Sequence, residues 1–524
     1  MKTTSSLKVK FLGVIPRLEE KSGKLSPEQI VSLSALLTFK GESIKKILDD
    51  IKKEGTDLNS KVKTVIIKSA LRGHASMATT PAIAFSYEAT KFLDSALTGI
   101  YFGSALMASG RRTNTTVKDI IFPESIAKNQ KAAKIYQEAS EKLIQTYDFL
   151  LKSGVQKDET SKTLQYGIYG TGLMVLPLES LVAIKREYER EKEWMPEEIG
   201  TLIKQIEKYL DKEGLGKLYQ SRFYAPRNIY SYPNIFKNPK DINLTRELRE
   251  KNRKVPKVIS LEINPTLGFR NRLKKLEELQ NTVFKSGKSI ESQYQNLISE
   301  RGSICRDYNA LFNVKILSSV PWRVWGDKKR HRTCPQIVES VYFCAEKSAK
   351  ILNSLRLKIK ERKLTKKELS SIEQAISLPP TILSNNEYLY RYLEAVLNAF
   401  SAYNKLLKLG IKPRDAVFII PRGLKIDVLQ EFNLYNLLVG YYPLRLCRTA
   451  EEELRRNTFE EIGQIKKILR EKKCEWLNRF IVPKCYITGF CPEEKTCLNV
   501  KHVVRDYDLE MHKKMLKMLE EKIK

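Results

Sequence analysis

The feature that most limits how this 524-residue chain can fold is an order of elements that occurs twice. The first half opens on the strand-like "LKVKFLGVIP", passes through helical patterns to "AIAFSYEA", and reaches a long amphipathic helix, "QKAAKIYQEASEKLIQTYDFLLKSG". The second half opens on "KVPKVISLEINP", passes to "ALFNVKIL", and reaches "NEYLYRYLEAVLNAFSAYNKLLKLG". Both long helices end in Leu-Lys-x-Gly, and each is followed by an apolar run with a proline, "LMVLPLES" and "VFIIPRGL". Apolar residues at helical spacing mark the helices, and short apolar or alternating runs between turn signals mark the strands. A repeat of this length has to be read before the fold itself. The expected class is α+β, helix-rich with small antiparallel sheets, built from two diverged copies of one domain. The copies are expected at residues 1–211 and 256–524. Between them lies 212–255, a linker or arm in which Pro, Asn and Tyr accumulate, as in "YQSRFYAPRNIYSYPNIFKNPKDIN".

Composition narrows the partners. Lysine and arginine number 93 against 61 acidic residues, a formal net charge of +32. Basic residues alternating with apolar ones, as in "LKIKERKLTKKELSS", read as solvated helix faces. The remainder of the charge favours phosphate-bearing ligands, and nucleic acid stays an alternative that is not favoured. No segment carries the long uncharged apolar run of a membrane span. "MKTTSSLKVKFLGVIPRLEEK" turns charged before a secretory apolar region develops, so a cytoplasmic protein is expected. All eight cysteines follow residue 300 and are read as thiols. Cys485, Cys491 and Cys497, with His502 nearby, lack the Cys-x2-Cys knuckle of common zinc sites, and no metal is expected.

The most informative short stretch is "WGDKKRHRTCPQIVESVYF". It places one of only four histidines between two arginines, at Arg330, His331 and Arg332. Arginine stays charged and forks across two oxygens, which suits a pyrophosphate better than the point charge of lysine. A basic surface loop is the alternative for the same residues.

The spacing Arg330-His331-Arg332, seven residues, Ser340 resembles the signature of the flavin-dependent thymidylate synthases, the ThyX family. The similarity continues downstream: Pro421, then Asn433 twelve positions on, then Arg445, Ala450, Glu453 and Leu454, with one extra residue between Asn433 and Arg445. A second family element, Gly-His-x-Ser, stands in the first half as Gly73-His74-Ala75-Ser76; the matching place in the second half reads Gly302-Ser303-Ile304-Cys305. Where the first half should carry Arg-His-Arg it has "SGRRTNTT", with Arg111 and Arg112. Each half thus keeps the element the other lacks.

The resemblance implies an FAD-dependent enzyme that reductively methylates dUMP to dTMP, with methylenetetrahydrofolate and NADPH as co-substrates. It implies flavin contacts at Arg330, His331, Arg332, Asn433, His74 and Ser76. It implies nucleotide contacts at Ser340, Glu339 and Arg445, with Arg445 catalytic through the charge it sets beside the pyrimidine. Family sites form between subunits of a homotetramer, so a homodimer of this tandem chain is expected to imitate one. The sequence also departs from the pattern. Tyr342 replaces a phosphate-binding arginine, Val417 replaces the arginine before the apolar-Pro run, and Glu339 is the one acidic residue left to replace a lost ligand. Two other readings follow from these departures: a degenerate nucleotide- or nucleic-acid-binding protein, and a flavin enzyme for another pyrimidine.

Overall fold

The computed structural model describes residues 1–20, 23–110, 113–226, 232–285 and 289–523. The first half contains β1 (Lys8–Ile15), α1 (Pro27–Lys40), β2 (Ala82–Thr90), α2 (Lys91–Leu97), β3 (Ser104–Met107), α3 (Gln130–Lys152) and β4 (Tyr169–Pro177). The second half contains β5 (Lys257–Ile263), α4 (Ile290–Tyr308), β6 (Phe312–Pro321), α5 (Trp322–Lys328), β7 (Gln336–Val338), α6 (Asn386–Lys408), β8 (Lys425–Asn433), α7 (Tyr442–Arg445) and α8 (Glu452–Glu471). Two four-stranded sheets result, with strand orders β1-β2-β4-β3 and β5-β6-β8-β7. The pairings β1–β2, β2–β4, β3–β4, β5–β6 and β7–β8 are all antiparallel. The protein is therefore helix-rich with small antiparallel sheets, and both sheets follow the same winding order. No helix among the described residues is long and apolar enough to cross a membrane.

Local chemistry explains the element ends. Ser26 and Gln29 form a capping box on α1, and Gly41 closes it in the left-handed region at φ 68°. α3 and α6 are both 23 residues long, and each is N-capped by an asparagine. Asn129 accepts from the Ala132 N–H and Asn385 from the Tyr388 N–H, both at 3.1 Å. Gly154 and Gly410 follow them at φ 86° and 80°, which stops each helix.

The chain forms two compact units. The first comprises residues 1–241, 321–326 and 340–425, and the second 242–320, 327–339 and 426–524. The units are not the sequence copies, because 321–326 and 340–425 of the second half belong to the first unit. The 212–255 stretch, expected as a linker or arm, includes the helices Gly216–Tyr224 and Leu244–Lys251.

Within the first unit, α3 packs against α6. A constant shift of 256 residues relates the elements, 130 to 386 at the helix starts and 169 to 425 at the strands that follow. The hydrogen bonds come in reciprocal pairs at this shift. Gly167 N–H donates to the Phe418 carbonyl at 3.1 Å, and Gly423 N–H to that of Lys162 at 2.8 Å. Ser125 Oγ donates to Asp415 at 2.6 Å, while Thr381 Oγ1 donates to Glu159 at 3.1 Å. Tyr136 and Tyr392 hydroxyls donate to the carbonyls of Ile121 at 3.0 Å and Ser377 at 2.8 Å.

The same shift corrects the register read from the sequence. "LMVLP" of "LMVLPLES" is the end of β4 and "LES" starts the helix Leu178–Arg190, whereas "VFIIPRGL" opens with a 3₁₀ turn, Val417–Ile419, that precedes β8. Pro421 instead bridges Gln165, and it is Asn433 that stands at the place of Pro177. Gly302 to Cys305 lie inside continuous helix α4, while Gly73 holds φ 104° in a break between helices. Arg330 to Arg332 precede the third strand of their sheet. Arg111 and Arg112 follow the third strand of the other sheet, and they lie outside the described residues.

In the second unit, Phe269, Leu276, Leu297, Ile304, Val314 and Phe432 have no exposed surface and form the core between the sheet and its helices. Each such side chain contributes about 1.5–3 kcal/mol on burial. This packing fixes the ends of β8 and α5, where the site residues sit.

Candidate functional site

The site residues of the second unit gather where α5 ends and β8 ends. After Lys328 the chain turns tightly: His331 N–H donates to the Lys328 carbonyl at 3.2 Å, and Cys334 N–H to that of His331 at 3.0 Å. Cys334 is buried in the core and anchors the turn. β7 then pairs with β8 from Gln336↔Gln430 to Val338↔Val428, which carries the turn alongside the C-terminal end of β8. Asn433 is the last residue of β8. Its Oδ1 accepts from the backbone N–H of Asn436 at 3.1 Å and from its Nδ2 at 2.8 Å. Asn436 also donates to the Thr333 carbonyl at 3.1 Å and accepts from Thr333 Oγ1 at 2.9 Å. Asn436 begins a π-helical turn, Asn436–Gly440, a deformation frequent at functional sites.

Arg445, at the end of α7, reaches back to the same turn. It donates through Nη2 to His331 Nε2 at 2.7 Å and to the Asp327 carbonyl at 3.1 Å, and through Nε to His331 Nε2 at 3.2 Å. A guanidinium can only donate, so Nε2 carries no proton and the ring proton sits on Nδ1, facing Gly440. Burial first, and then the Arg445 charge, push the His331 pKa down to about 4. His331 is therefore a neutral, fixed acceptor at neutral pH, with Tyr441 edge-on at 4.8 Å between ring centroids.

Arg330 and Arg332 flank His331 in the sequence. Arg330 is exposed, and the buried Nε of Arg332 has no hydrogen-bond partner. Burial first, then Arg330, lower the Arg332 pKa. Arg445 on the imidazole, and Arg332 with its open Nε one residue along the turn, offer charge-assisted bonds to phosphate or carboxylate oxygens.

The expected nucleotide contacts are differently placed. Glu339 is buried and receives Arg246 through two parallel bonds, Nε to Oε2 at 2.9 Å and Nη2 to Oε1 at 2.8 Å. Ser340, with no exposed surface, donates to the Lys237 carbonyl at 2.8 Å and starts the helix Val341–Ser354. The Tyr342 hydroxyl donates to the Trp194 carbonyl. These side chains are engaged in packing.

In the first unit, exposed His74 and Ser76 line a cavity of about 210 Å³ with Ser34, Thr38 and Phe39 of α1. Phe39 is 83% exposed, a large aromatic face at its edge. Gly73 makes the turn that presents His74. In the tail, burial first and then the neighbouring thiols Cys491, Cys447 and Cys497 push Cys485 up to about 12. Among the described residues no group of three or more His, Cys, Asp or Glu is arranged to hold a metal ion.

Sequence reasoning missed Asn436 and Arg246. The Asn-x-x-Asn spacing of Asn433 and Asn436 at a strand end is a readable signal for the first. Arg246 had none, since it meets Glu339 from 93 residues away.

The family model described as "Thymidylate synthase complementing protein" matches residues 271–469. The flavin-dependent thymidylate synthase of Pyrococcus abyssi is 28% identical over 128 residues, 24% of this chain and 50% of that relative. That of Saccharolobus solfataricus is 26% identical over 134 residues, 25% of this chain and 48% of the relative. The chain thus spans about half the length of the curated relatives it matches. Among solved structures, the UMP/dUMP methylase PolB from Streptomyces cacaoi aligns at 15% identity over 43% of this chain and 100% of its own, with a TM-score of 0.35. Thymidylate Synthase X from Helicobacter pylori aligns at 15% identity over 41% of this chain and 99% of its own, with a TM-score of 0.31. The stretch 271–469, which carries Arg330, His331, Arg332, Asn433 and Arg445, is thus similar to the flavin-dependent thymidylate synthases.

Proposed function

We propose that the second unit binds FAD and that the chain is a flavin-dependent thymidylate synthase-like enzyme built from two diverged domain copies, working as a homodimer. The observation that carries the reading is Arg445 held on neutral His331 in the turn that also carries Arg330 and Arg332, the latter with a buried, unpartnered Nε. The residues fit a dinucleotide. Arg332, half-buried with an open Nε, and Arg330 supply fixed cations for a pyrophosphate, and Asn433 offers its amide from the strand end. Held there, FAD would supply the hydride chemistry for methylating dUMP, with NADPH as the reductant and methylenetetrahydrofolate as the carbon source.

The protein's part is placement and charge. His331 and the Asp327 carbonyl hold Arg445 in place through its Nε and Nη2. A guanidinium beside a pyrimidine favours its ionised form, as donors of an oxyanion site favour developing charge. His331, bare at Nε2 and low in pKa, orients Arg445 and does not serve as a general acid at neutral pH. His74 and Ser76 are the remaining expected flavin contacts; full flavin occupancy in a His74→Ala chain would remove them from the reading.

The test is anaerobic reoxidation of the reduced, flavin-loaded protein with dUMP and methylenetetrahydrofolate, followed by assay for dTMP. Formation of dTMP supports the reading, and flavin-loaded protein that forms none rejects thymidylate synthesis. A second reading, a flavin enzyme acting on another pyrimidine, is favoured by the engagement of Glu339 with Arg246 and of Ser340 with Lys237. Turnover of a different uracil-containing substrate by the same loaded protein identifies it. A protein that binds no flavin, yet binds RNA with steep salt dependence, supports the nucleic-acid alternative instead.

A further inference from the structure

Beneath the Arg-His-Arg turn lies a buried charged network that the proposed chemistry does not use. Lys328, the last residue of α5, and Glu461, inside α8, both have 0% exposed side chains and pair at 3.1 Å. Glu461 Oε1 also accepts from Ser318 Oγ of β6 at 3.0 Å and from Asn457 Nδ2 at 2.5 Å. Its Oε2 accepts from the hydroxyl of Tyr442, the first residue of α7, at 3.3 Å. Lys328 Nζ donates in addition to Ser318 Oγ at 3.3 Å.

A buried ion pair is a poor source of net stability, because removing two charges from water costs about what their attraction returns. Its directional bonds nevertheless fix geometry. Here they join the two elements whose far ends form the site. Lys328 stands three residues before His331, and Tyr442 three before Arg445. Above them, Arg445 bonds to His331 and to the Asp327 carbonyl. The carboxylate of Glu461 is the lower rung and the Arg445–His331 bond the upper rung of one brace. We propose that Glu461 is a positioning residue whose carboxylate, by tying Lys328 of α5 to Tyr442 of α7, sets where Arg445 stands against the Arg330–Arg332 turn. The assignment rests on the reading of that turn as the flavin site.

The test uses the full chain with Glu461→Gln and Tyr442→Phe, folding being checked by far-UV circular dichroism. Two quantities are measured: FAD affinity by flavin fluorescence, and the His331 titration by NMR, which needs no flavin. The expected result for Glu461→Gln is at least a tenfold weaker FAD affinity and a His331 titration midpoint raised by one pH unit or more as Arg445 moves away. For Tyr442→Phe, which keeps the ring, at least a threefold loss of affinity is expected. If Glu461→Gln does not fold, Tyr442→Phe decides. A folded variant with wild-type His331 titration and wild-type FAD affinity overturns the assignment. If the wild-type chain binds no FAD, the flavin reading fails, and the His331 titration alone still decides for or against Glu461.

Discussion

Protonating His331 should unfold part of the stability of the second unit, and the structure sets the size of the effect. The ring is surrounded by Arg445 and Lys328, which disfavour its charged form, by Asp327, which favours it, and by the uncharged Tyr441. Burial and Arg445 together bring its pKa from 6.5 to about 4. The folded pKa is the lower one. Between the two values the unfolded chain takes up a proton that the folded chain refuses, and stability rises with pH across that window. Each pH unit of difference is worth about 1.4 kcal/mol, so the full span is about 3.5 kcal/mol, of which about 2.5 kcal/mol is gone at pH 4.5. Urea unfolding curves at pH 7.5 and 4.5, for the wild type and His331→Gln, isolate this group because every other carboxylate and histidine titrates in both proteins. The wild type should lose about 2.5 kcal/mol more than the variant on acidification. Equal losses in the two proteins would refute the inference that a neutral ring accepts from Arg445.

Other perturbations test the neighbouring contacts. Arg246→Met strands the Glu339 carboxylate in a buried place and should cost about 3–5 kcal/mol in urea unfolding, far more than an exposed arginine. Asn436→Ala removes the bonds linking Thr333 to Asn433; a loss of about 1–3 kcal/mol in stability is expected, together with weaker FAD binding measured by fluorescence. Gly73→Ala forces a side chain into φ 104° and should lower stability by about 1–2 kcal/mol, while unchanged thermal unfolding would contradict the strained turn at His74.

Much of the architecture was legible because it rests on local patterns. The alternation in "LKVKFLGVIP" and the apolar run in "KVPKVISLEINP" became β1 and β5, and the two long amphipathic patterns ending in Leu-Lys-x-Gly became α3 and α6. The resemblance singled out Arg330, His331, Arg332, Asn433 and Arg445, and of these Arg445 and His331 meet directly. The register relating the two halves was not legible. An apolar run with a proline makes a strand end at Pro177 and a 3₁₀ turn before Pro421, and the deciding contact, Gln165 with Pro421, joins residues far apart in sequence. The fate of Glu339 and Ser340 was illegible for the same reason. Glu339 is claimed by Arg246 and Ser340 by the Lys237 carbonyl, both roughly a hundred residues upstream, and no local pattern announces either. Periodicity says which side of an element is buried and is silent on which distant polar group meets it.

The central claim is that the guanidinium groups beside His331 grip a phosphate-bearing flavin. Titration of FAD into the full-length chain, followed by flavin fluorescence, tests it most directly when wild type, Arg332→Met and Arg330→Met are compared. A charge-assisted bond is worth about 1.5–3 kcal/mol, so saturable binding by the wild type and about a 10- to 100-fold weaker affinity in Arg332→Met are predicted, with a smaller loss at exposed Arg330. A wild-type chain that leaves FAD fluorescence unchanged, or an Arg332→Met chain that binds FAD as tightly as the wild type, would contradict it.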